Sequence, residues 1–402
     1  MKRIIMLLCC TAMAGACCSS KQMTVDGKSY AIRMVESEIS RNPSATTLDG
    51  IEAGKVKWNY TTGLELQAIM DAGDEYGRPD FCEYALRYYD TIVKQDASVL
   101  TYKKERYNID HVCPGRPLFR IAERTGEARY AQVLDTLYSQ LCSHPRNDDG
   151  GFWHKQTYPH QMWLDGLYMG EPFYAEYAMR KLDGEAREKA VADIVSQFTL
   201  VAAHTLDEKT GLYRHACDVS KQMFWCEPET GRSHHAWGRA MGWYAMAIVE
   251  TLQYLGVTPA TQPMVDILNH ICEVLPKYAD PETGMWYQVL DQPGREGNYL
   301  EATGSIMFVY AMLKGVRLGY LPADMEPEAL GLYEKFVKQF VRENGDGTIS
   351  ITDCCAVAGL GGKENRDGTF DYYISEPVIE NDCKGVGPFI WASMEYDFAA
   401  RK

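Results

Sequence analysis

The 402-residue sequence predicts an all-α fold, a single-domain (α/α)6 barrel of six helical hairpins. Three observations lead there. Helical periodicity recurs along the chain from Ala31 onward, while long alternating strand patterns are scarce. The helices alternate between an ordinary amphipathic kind and a kind almost free of charge, and a helix uncharged all round is buried all round. The connections also repeat. Asp207-Glu208-Lys209-Thr210-Gly211 and Asp280-Pro281-Glu282-Thr283-Gly284 are turns leading into short aromatic stretches, with looser copies at Asp148 to Gly151 and Gly345 to Gly347. One buried and one exposed helix in roughly 60 residues is an internal repeat. An open solenoid is the alternative, but it would leave the inner helices uncovered on one side.

In chain order, Met1-Lys2-Arg3, the apolar Ile4 to Leu8 and the small-residue run Ala14-Gly15-Ala16 read as an export signal over 1–16. Cys17 directly after it resembles the lipobox of bacterial lipoproteins, with Cys17 the lipidated residue, 17–27 a short tether and 28–402 the barrel. The apolar run is too short for a permanent membrane span, so the expected location is the periplasm or outer membrane, held by lipid alone. The exposed helices are Phe81 to Val93, Ala128 to Cys142, Glu185 to His204, Met264 to Tyr278 and Pro327 to Val341, each with an apolar stripe. The uncharged helices begin near Tyr60, Asp110, Trp163, Trp237, Thr303 and Gly385, and the helix around Ile32 supplies the sixth outer partner. No Pro- or Gly/Ser-rich linker divides them, which favours one large domain.

The formal net charge of −14 argues against nucleic acid or an anionic membrane surface as the main partner. Four of the 13 cysteines fall in the leader region, and the remaining nine have no C-x-x-C spacing, so they form neither a disulfide framework nor a zinc site. No metal or cofactor is expected. The histidines lack metal spacing, and there is no nucleophile elbow, phosphate loop or dinucleotide fingerprint.

In such a barrel the segments before the inner helices converge at one end. Most of the tryptophans and histidines lie in those segments: Trp58, His111, Trp153, His154, His160, Trp163, His215, His234, His235, Trp237, Trp243 and Trp286, with Tyr60, Asp110, Asp165 and Asp218 among them. Aromatics mixed with polar groups in one mouth suit a sugar, whose faces stack on rings while its hydroxyls need hydrogen bonds. Asp165 stands among Trp163, Leu167, Tyr168 and Met169, and an apolar setting is how a general acid is kept protonated. A helix cap or an arginine pair is the structural alternative for it. Gly166 and Gly170, i and i+4 on a helix, offer a smooth face for a second helix. Asp218 reads equally as a turn residue. Arg239 interrupts an otherwise uncharged helix, and a buried guanidinium needs a carboxylate from the protein or from a ligand, such as a uronate.

Five stretches carry a family resemblance. They are Trp163-Leu164-Asp165-Gly166-Leu167-Tyr168-Met169, Trp237-Gly238-Arg239-Ala240-Met241-Gly242-Trp243, Gly297 to Ala302, Met312 to Tyr320 and Asn381 to Gly387. Together they resemble the unsaturated rhamnogalacturonyl hydrolases of glycoside hydrolase family 105, from about Met34 to the C-terminus. The resemblance implies an (α/α)6 barrel that releases a 4,5-unsaturated uronic acid from the non-reducing end of lyase-generated oligosaccharides. It implies Asp165 as the acid/base, Asp110 as the second active-site aspartate, and His154, His215, Trp237, Arg239 and Trp243 as substrate contacts, to which the mouth residue Tyr60 is added. Where the family usually has His-Gly-Trp-Asp, this chain has His215-Ala216-Cys217-Asp218, and His234-His235-Ala236 replaces an asparagine and an aromatic. These departures leave the acid in place and bear on the leaving-sugar preference.

The implied chemistry is hydration of the C4=C5 bond, without a cofactor, by a monomer whose partner is the oligosaccharide. Three other readings remain at this point: an unsaturated glucuronyl hydrolase on other uronide fragments, a sugar epimerase on the same barrel, and a non-catalytic glycan-binding lipoprotein.

Overall fold

The computed structural model describes residues 24–25 and 28–401. The leader 1–16, the lipidation candidate Cys17 and most of the tether therefore lie outside the described residues. The helices are α1 (Tyr30–Arg41), α2 (Tyr60–Glu75), α3 (Pro79–Ile92), α4 (Pro117–Thr125), α5 (Ala128–Cys142), α6 (Leu164–Lys181) and α7 (Gly184–Thr205). They continue as α8 (Gly238–Leu255), α9 (Gln262–Val274), α10 (Ala302–Arg317), α11 (Glu326–Phe340), the short α12 (Phe370–Ser375) and α13 (Cys383–Ala400). The described strands are two or three residues long and form four antiparallel pairs.

The fold is the (α/α)6 barrel. The inner ring runs α2, α4, α6, α8, α10, α13 and closes with α13 against α2. Around it α3 packs on α2, α5 on α4, α7 on α6, α9 on α8 and α11 on α10, while α1 covers α13 as the sixth outer helix. The charge pattern is the cause: α8 buries every residue from Gly238 to Leu252, and α10 every residue from Ala302 to Gly315. The second inner helix departs from expectation. Pro114 and Pro117 lack amide donors, so the chain from Ile109 winds as 3-10 turns and becomes α-helical only at Pro117.

The repeated turns are real structural copies. The Asp207 amide donates to the Leu212 carbonyl at 2.9 Å and the Asp280 amide to the Met285 carbonyl at 2.8 Å. Gly211 and Gly284 both take φ +74°, the left-handed conformation that favours glycine. The looser copies close one residue earlier, Asn147 to Gly151 at 2.8 Å and Asn344 to Thr348 at 2.9 Å.

One cluster of buried charge sits at the end away from the mouth. Glu250 of α8 meets Arg116 at 2.5 Å and Lys314 at 2.5 Å, and it accepts from the Tyr310 hydroxyl. Burial would push its carboxyl up, but the two cations outweigh burial and hold it below the ordinary range.

Inner helices α8 and α10 approach closely at their glycines. A Cβ on Gly304 would come 2.9 Å from the Gly238 carbonyl carbon and 3.0 Å from the Arg239 amide, both backbone atoms that cannot turn aside. Gly304→Ala is therefore expected to cost about 1–3 kcal/mol. Gly331→Ala, in α11 with nothing within 4 Å, is expected to gain up to about 1 kcal/mol. Urea denaturation of the two variants checks the contrast, and equal midpoints would refute it.

Candidate active site

Strand pairing brings the central residues together. Gln161–Trp163 runs antiparallel to Ala216–Asp218 with Trp163 opposite Ala216, and the Leu164 amide donates to the His215 carbonyl at 3.2 Å. Asp165, in the first turn of α6, thereby becomes a neighbour of His215. Its carboxylate is 14 % exposed, and its buried Oδ2 lies 3.4 Å from His215 Nε2, too long for a formed hydrogen bond. Neither of those two atoms has a hydrogen-bond partner, and Oδ1 is left as the oxygen open to the cleft. The other ring nitrogen of His215 meets the Tyr373 hydroxyl at 2.7 Å.

Asp110 occupies the 3-10 turn Ile109–His111, where its amide donates to Asn108 Oδ1 at 3.1 Å. Lys155 holds its carboxylate at 2.7 Å and His154 Nε2 at 3.2 Å. Burial pushes this carboxyl up, but Lys155 and His154 outweigh it and keep it well below the ordinary carboxylate range. The same pairing keeps the Lys155 ammonium charged against burial.

The His154 ring stacks on Trp163 with centroids 4.7 Å apart, and Trp163 stacks on Tyr158 at 5.6 Å. Here the glycine expectation is corrected. A Cβ on Gly166 would lie 3.0 Å from His154 Nδ1, and one on Gly170 would lie 2.9 Å from Ile109 Cδ1. The smooth face of α6 admits two side chains from the preceding segments, not a second helix.

Arg239 is 1 % exposed, in the first turn of α8. Its guanidinium lies over the Trp237 ring at 4.5 Å, and Nη1 donates to the Cys355 carbonyl and to Thr303 Oγ1, the latter at 3.3 Å. Nε is buried without a partner, and among the described residues no carboxylate forms an ion pair with it. Burial opposes its charge, and Cys355, Asp382 and Glu301 nearby outweigh burial. Those two acids are committed elsewhere. Glu301 accepts the amides of Thr303, Gly304 and Cys355, and Asp382 caps α13 and holds Lys384 at 2.7 Å.

Tyr60 opens α2 among these groups: burial raises its hydroxyl, which also feels Arg239, Asp110, Asp382 and Asp165. Trp243, one turn along α8 from Arg239, stands edge-on behind it at 6.3 Å. Trp237 and Trp243 are both almost fully buried, so they back the residues facing the cleft. Gln288 accepts from Trp237 Nε1 at 2.9 Å and donates to the Tyr373 carbonyl at 3.0 Å.

Other aromatic and polar residues of the mouth prove structural. Trp58 and Trp286 donate to the carbonyls of His111 and Leu275. Asp218 accepts the amides of Ser220, Gln222 and Met223 and is a turn residue. His235 pairs with Asp291 at 2.9 Å, and His234 is exposed. Sequence reasoning missed Lys155, Tyr158, Arg366 and Tyr373. Lys155 had a signal, since it follows His154 directly. Arg366 and Tyr373 lie in the excursion between the paired strands Cys354–Cys355 and Val378–Ile379, which has no helical or strand period to mark it. Among the described residues no group of three His, Cys, Asp or Glu side chains is placed to hold a metal ion.

A cleft carboxylate beside a histidine, a lysine-paired aspartate and a buried guanidinium without an anion, at the mouth of this barrel, define a carbohydrate-active site. The family model described as Glycosyl Hydrolase Family 88 matches residues 30–399, and the chain belongs to that family. It is similar to a solved glycoside hydrolase from family 105 of C. acetobutylicum ATCC 824, with 42 % identity and a TM-score of 0.87, covering 92 % of this chain and 100 % of that one. It is 24 % identical over 268 residues to the unsaturated rhamnogalacturonyl hydrolase YesR of Bacillus subtilis (strain 168), covering 65 % of this chain and 72 % of that protein. The unsaturated glucuronyl hydrolase of Bacillus sp. GL1 shares the fold, with a TM-score of 0.65, 12 % identity and coverage of 90 % and 94 %.

Three histidines whose protonation burial opposes make stability pH-dependent. Burial pushes His144 down to about 4 and lowers His111 and His215 below their ordinary 6.5. The native chain refuses protons that the unfolded chain accepts, so stability is full above the unfolded value of 6.5 and is lost as pH falls toward the folded values. Each such group removes at most about 1.4 kcal/mol per pH unit within that window. The urea midpoint is expected to drop between about pH 7 and 5, and His144→Gln to flatten the slope. A midpoint independent of pH over that range rules this out.

Proposed function

We propose that this chain is a glycosidase releasing a 4,5-unsaturated galacturonic acid from the non-reducing end of lyase-generated oligosaccharides. The observation that carries the reading is Arg239: a buried guanidinium with an unpartnered Nε and, among the described residues, no carboxylate in an ion pair with it, in the same mouth as Asp165. An anionic ligand completes such a cation, and the substrate uronate supplies one. The similarity to the unsaturated rhamnogalacturonyl hydrolase YesR and the 42 % identity to a family 105 enzyme support the galacturonyl type. The second reading, a glucuronyl substrate, is favoured only by shared fold.

The geometry gives each residue a task. Protonated Asp165 delivers its proton from Oδ1 to C4, and positive charge develops at C5 and the ring oxygen. Water adds at C5 and loses a proton to the Asp165 carboxylate. The resulting hemiketal opens and expels the leaving sugar, so no displacement occurs at the anomeric carbon and the carboxylate-spacing rule for ordinary glycosidases does not apply. Asp110, kept ionised by Lys155, orients sugar hydroxyls or the water. Tyr60 and His154 line the approach, and Trp237 fixes the plane of the guanidinium. The leader and Cys17 add export and lipid anchoring, with the monomeric barrel on the periplasmic or outer-membrane surface. A Cys17→Ala variant that stays membrane-bound would count against that anchor.

The test follows the ultraviolet absorbance of the conjugated double bond. With unsaturated galacturonyl-rhamnose as substrate, Asp165→Asn is expected to lose about 10²- to 10⁴-fold in kcat with the fold intact. Arg239→Gln is expected to raise KM about 10- to 100-fold, the worth of hydrogen bonds to a charged group. Full activity in Asp165→Asn would sink the reading. A preference for an unsaturated chondroitin disaccharide would replace galacturonyl by glucuronyl.

A further inference from the structure

We infer that Tyr373 is a positioning residue that fixes the tautomer of His215 and so determines which oxygen of Asp165 presents its proton to the substrate. The inference rests on Asp165 being the general acid.

Three side chains form a relay. Tyr373 Oη lies 2.7 Å from His215 Nδ1, and His215 Nε2 lies 3.4 Å from Asp165 Oδ2. Tyr373 and His215 are both fully buried, out of reach of bulk water. A buried hydroxyl hydrogen needs an acceptor, and His215 Nδ1 is the acceptor Tyr373 has among the described residues. Tyr373 therefore donates, Nδ1 accepts, and the hydrogen of the neutral imidazole resides on Nε2, aimed at Asp165 Oδ2. Burial keeps both partners in these states, lowering His215 and raising Tyr373. The charged and titratable groups around His215 are Asp165 of α6, His154 of the preceding segment and Arg366 of the 356–377 excursion. Tyr373 also feels Tyr372, Asp291 and Arg366.

The consequence is directional. An N–H facing Oδ2 makes that oxygen the acceptor, so the acidic hydrogen of Asp165 belongs on Oδ1, the oxygen open to the cleft. The same N–H draws closer when the proton has gone and Oδ2 carries charge, which stabilises the carboxylate that must next take a proton from water. With the opposite tautomer, the bare Nε2 lone pair would attract the acid proton onto Oδ2 and turn it away from C4. Tyr373 is held for this task by backbone, since its carbonyl accepts from Gln288, the same side chain that fixes Trp237.

Tyr373→Phe in the full-length enzyme keeps the ring against Trp237 and removes only the donor. With unsaturated galacturonyl-rhamnose, kcat is expected to fall about 10- to 100-fold while KM stays within about twofold. The alkaline limb of the kcat profile is expected to move to higher pH, because an accepting Nε2 favours the protonated acid. A variant with unchanged kcat and pH profile, or one that changes only stability or KM, overturns the proposal. If the variant fails to fold, ¹⁵N shifts of the His215 imidazole in the native enzyme decide: protonated Nε2 is expected, and protonated Nδ1 overturns it. Activity remaining in Asp165→Asn would defeat the general-acid reading itself. An inactive Asp165→Asn beside a normal Tyr373→Phe would defeat only this inference.

Discussion

A belt of backbone hydrogen bonds around the barrel mouth is the constraint on which the site depends. Each inner helix begins there with unpaired amides, and the irregular segments before it are packed too closely to leave their polar groups to water. The chain resolves this by bonding each segment to the next. Ile109 donates to His154, His154 to Gln161, Leu164 to His215 and His215 to His235. The belt continues from Gly238 to Gln288, Gln288 to Tyr299, Ala302 to Asp353 and Asn381 to Ile351. Asp110, His154, Asp165, His215, Trp237 and Arg239 lie on this belt or within one helical turn of it. A carboxylate and a guanidinium on different hairpins are thus held in fixed relation by main chain, which is stiffer than any side-chain contact and supplies the preorganisation that catalysis requires.

Charge is distributed by the same logic. At the far end Glu250 pairs with two cations at once, Arg116 and Lys314. At the mouth Asp110 is neutralised by Lys155, while Glu301 and Asp382, the acids nearest Arg239, are bound to amides or to Lys384. Arg239 keeps unspent capacity, with no carboxylate among the described residues in an ion pair with it. Removing a close carboxylate from a buried arginine is destabilising by several kcal/mol in ordinary proteins. Here the deficit is softened by the Trp237 face, the Cys355 carbonyl and two acids at longer range, which leaves the last increment for a ligand.

Much of this was legible in the sequence because it is written in period and composition. The uncharged runs at Trp237 and Thr303 could only be buried helices, and the Asp-x-x-x-Gly turns counted the hairpins. Asp165 and Arg239 stood out as charges in apolar surroundings. What was not legible depends on pairing between distant segments. Nothing in Asp367 to Glu376 tells that Tyr373 reaches His215, because that contact is set by where two short strands meet and by Gln288 on another hairpin. The glycines at 166 and 170 were correctly seen as a bare face but given the wrong visitor, since sequence spacing shows that space exists and not which side chain fills it.

The departure at Ala216-Cys217 has a physical explanation of this non-local kind. Where the family usually carries a tryptophan in the strand, this chain brings Trp225 from the following loop. Trp225 is fully buried with Trp163, Ala216, Cys226 and Leu360 in a small cluster separate from the main core. The small Ala216 side chain packs with it there, and Gly361, 3.4 Å from Trp225 Nε1 at its Cβ position, makes room on another side. The indole nitrogen is left buried and unpaired, a cost of about 1–3 kcal/mol that apolar burial of so large a ring offsets. The cluster ties the 219–233 loop to the 356–377 excursion through Trp163, the ring that also stacks on His154. Phe224, beside Trp225, is left 54 % exposed. The loop thus turns one aromatic inward, which fixes it against Trp163, and its neighbour outward to solvent.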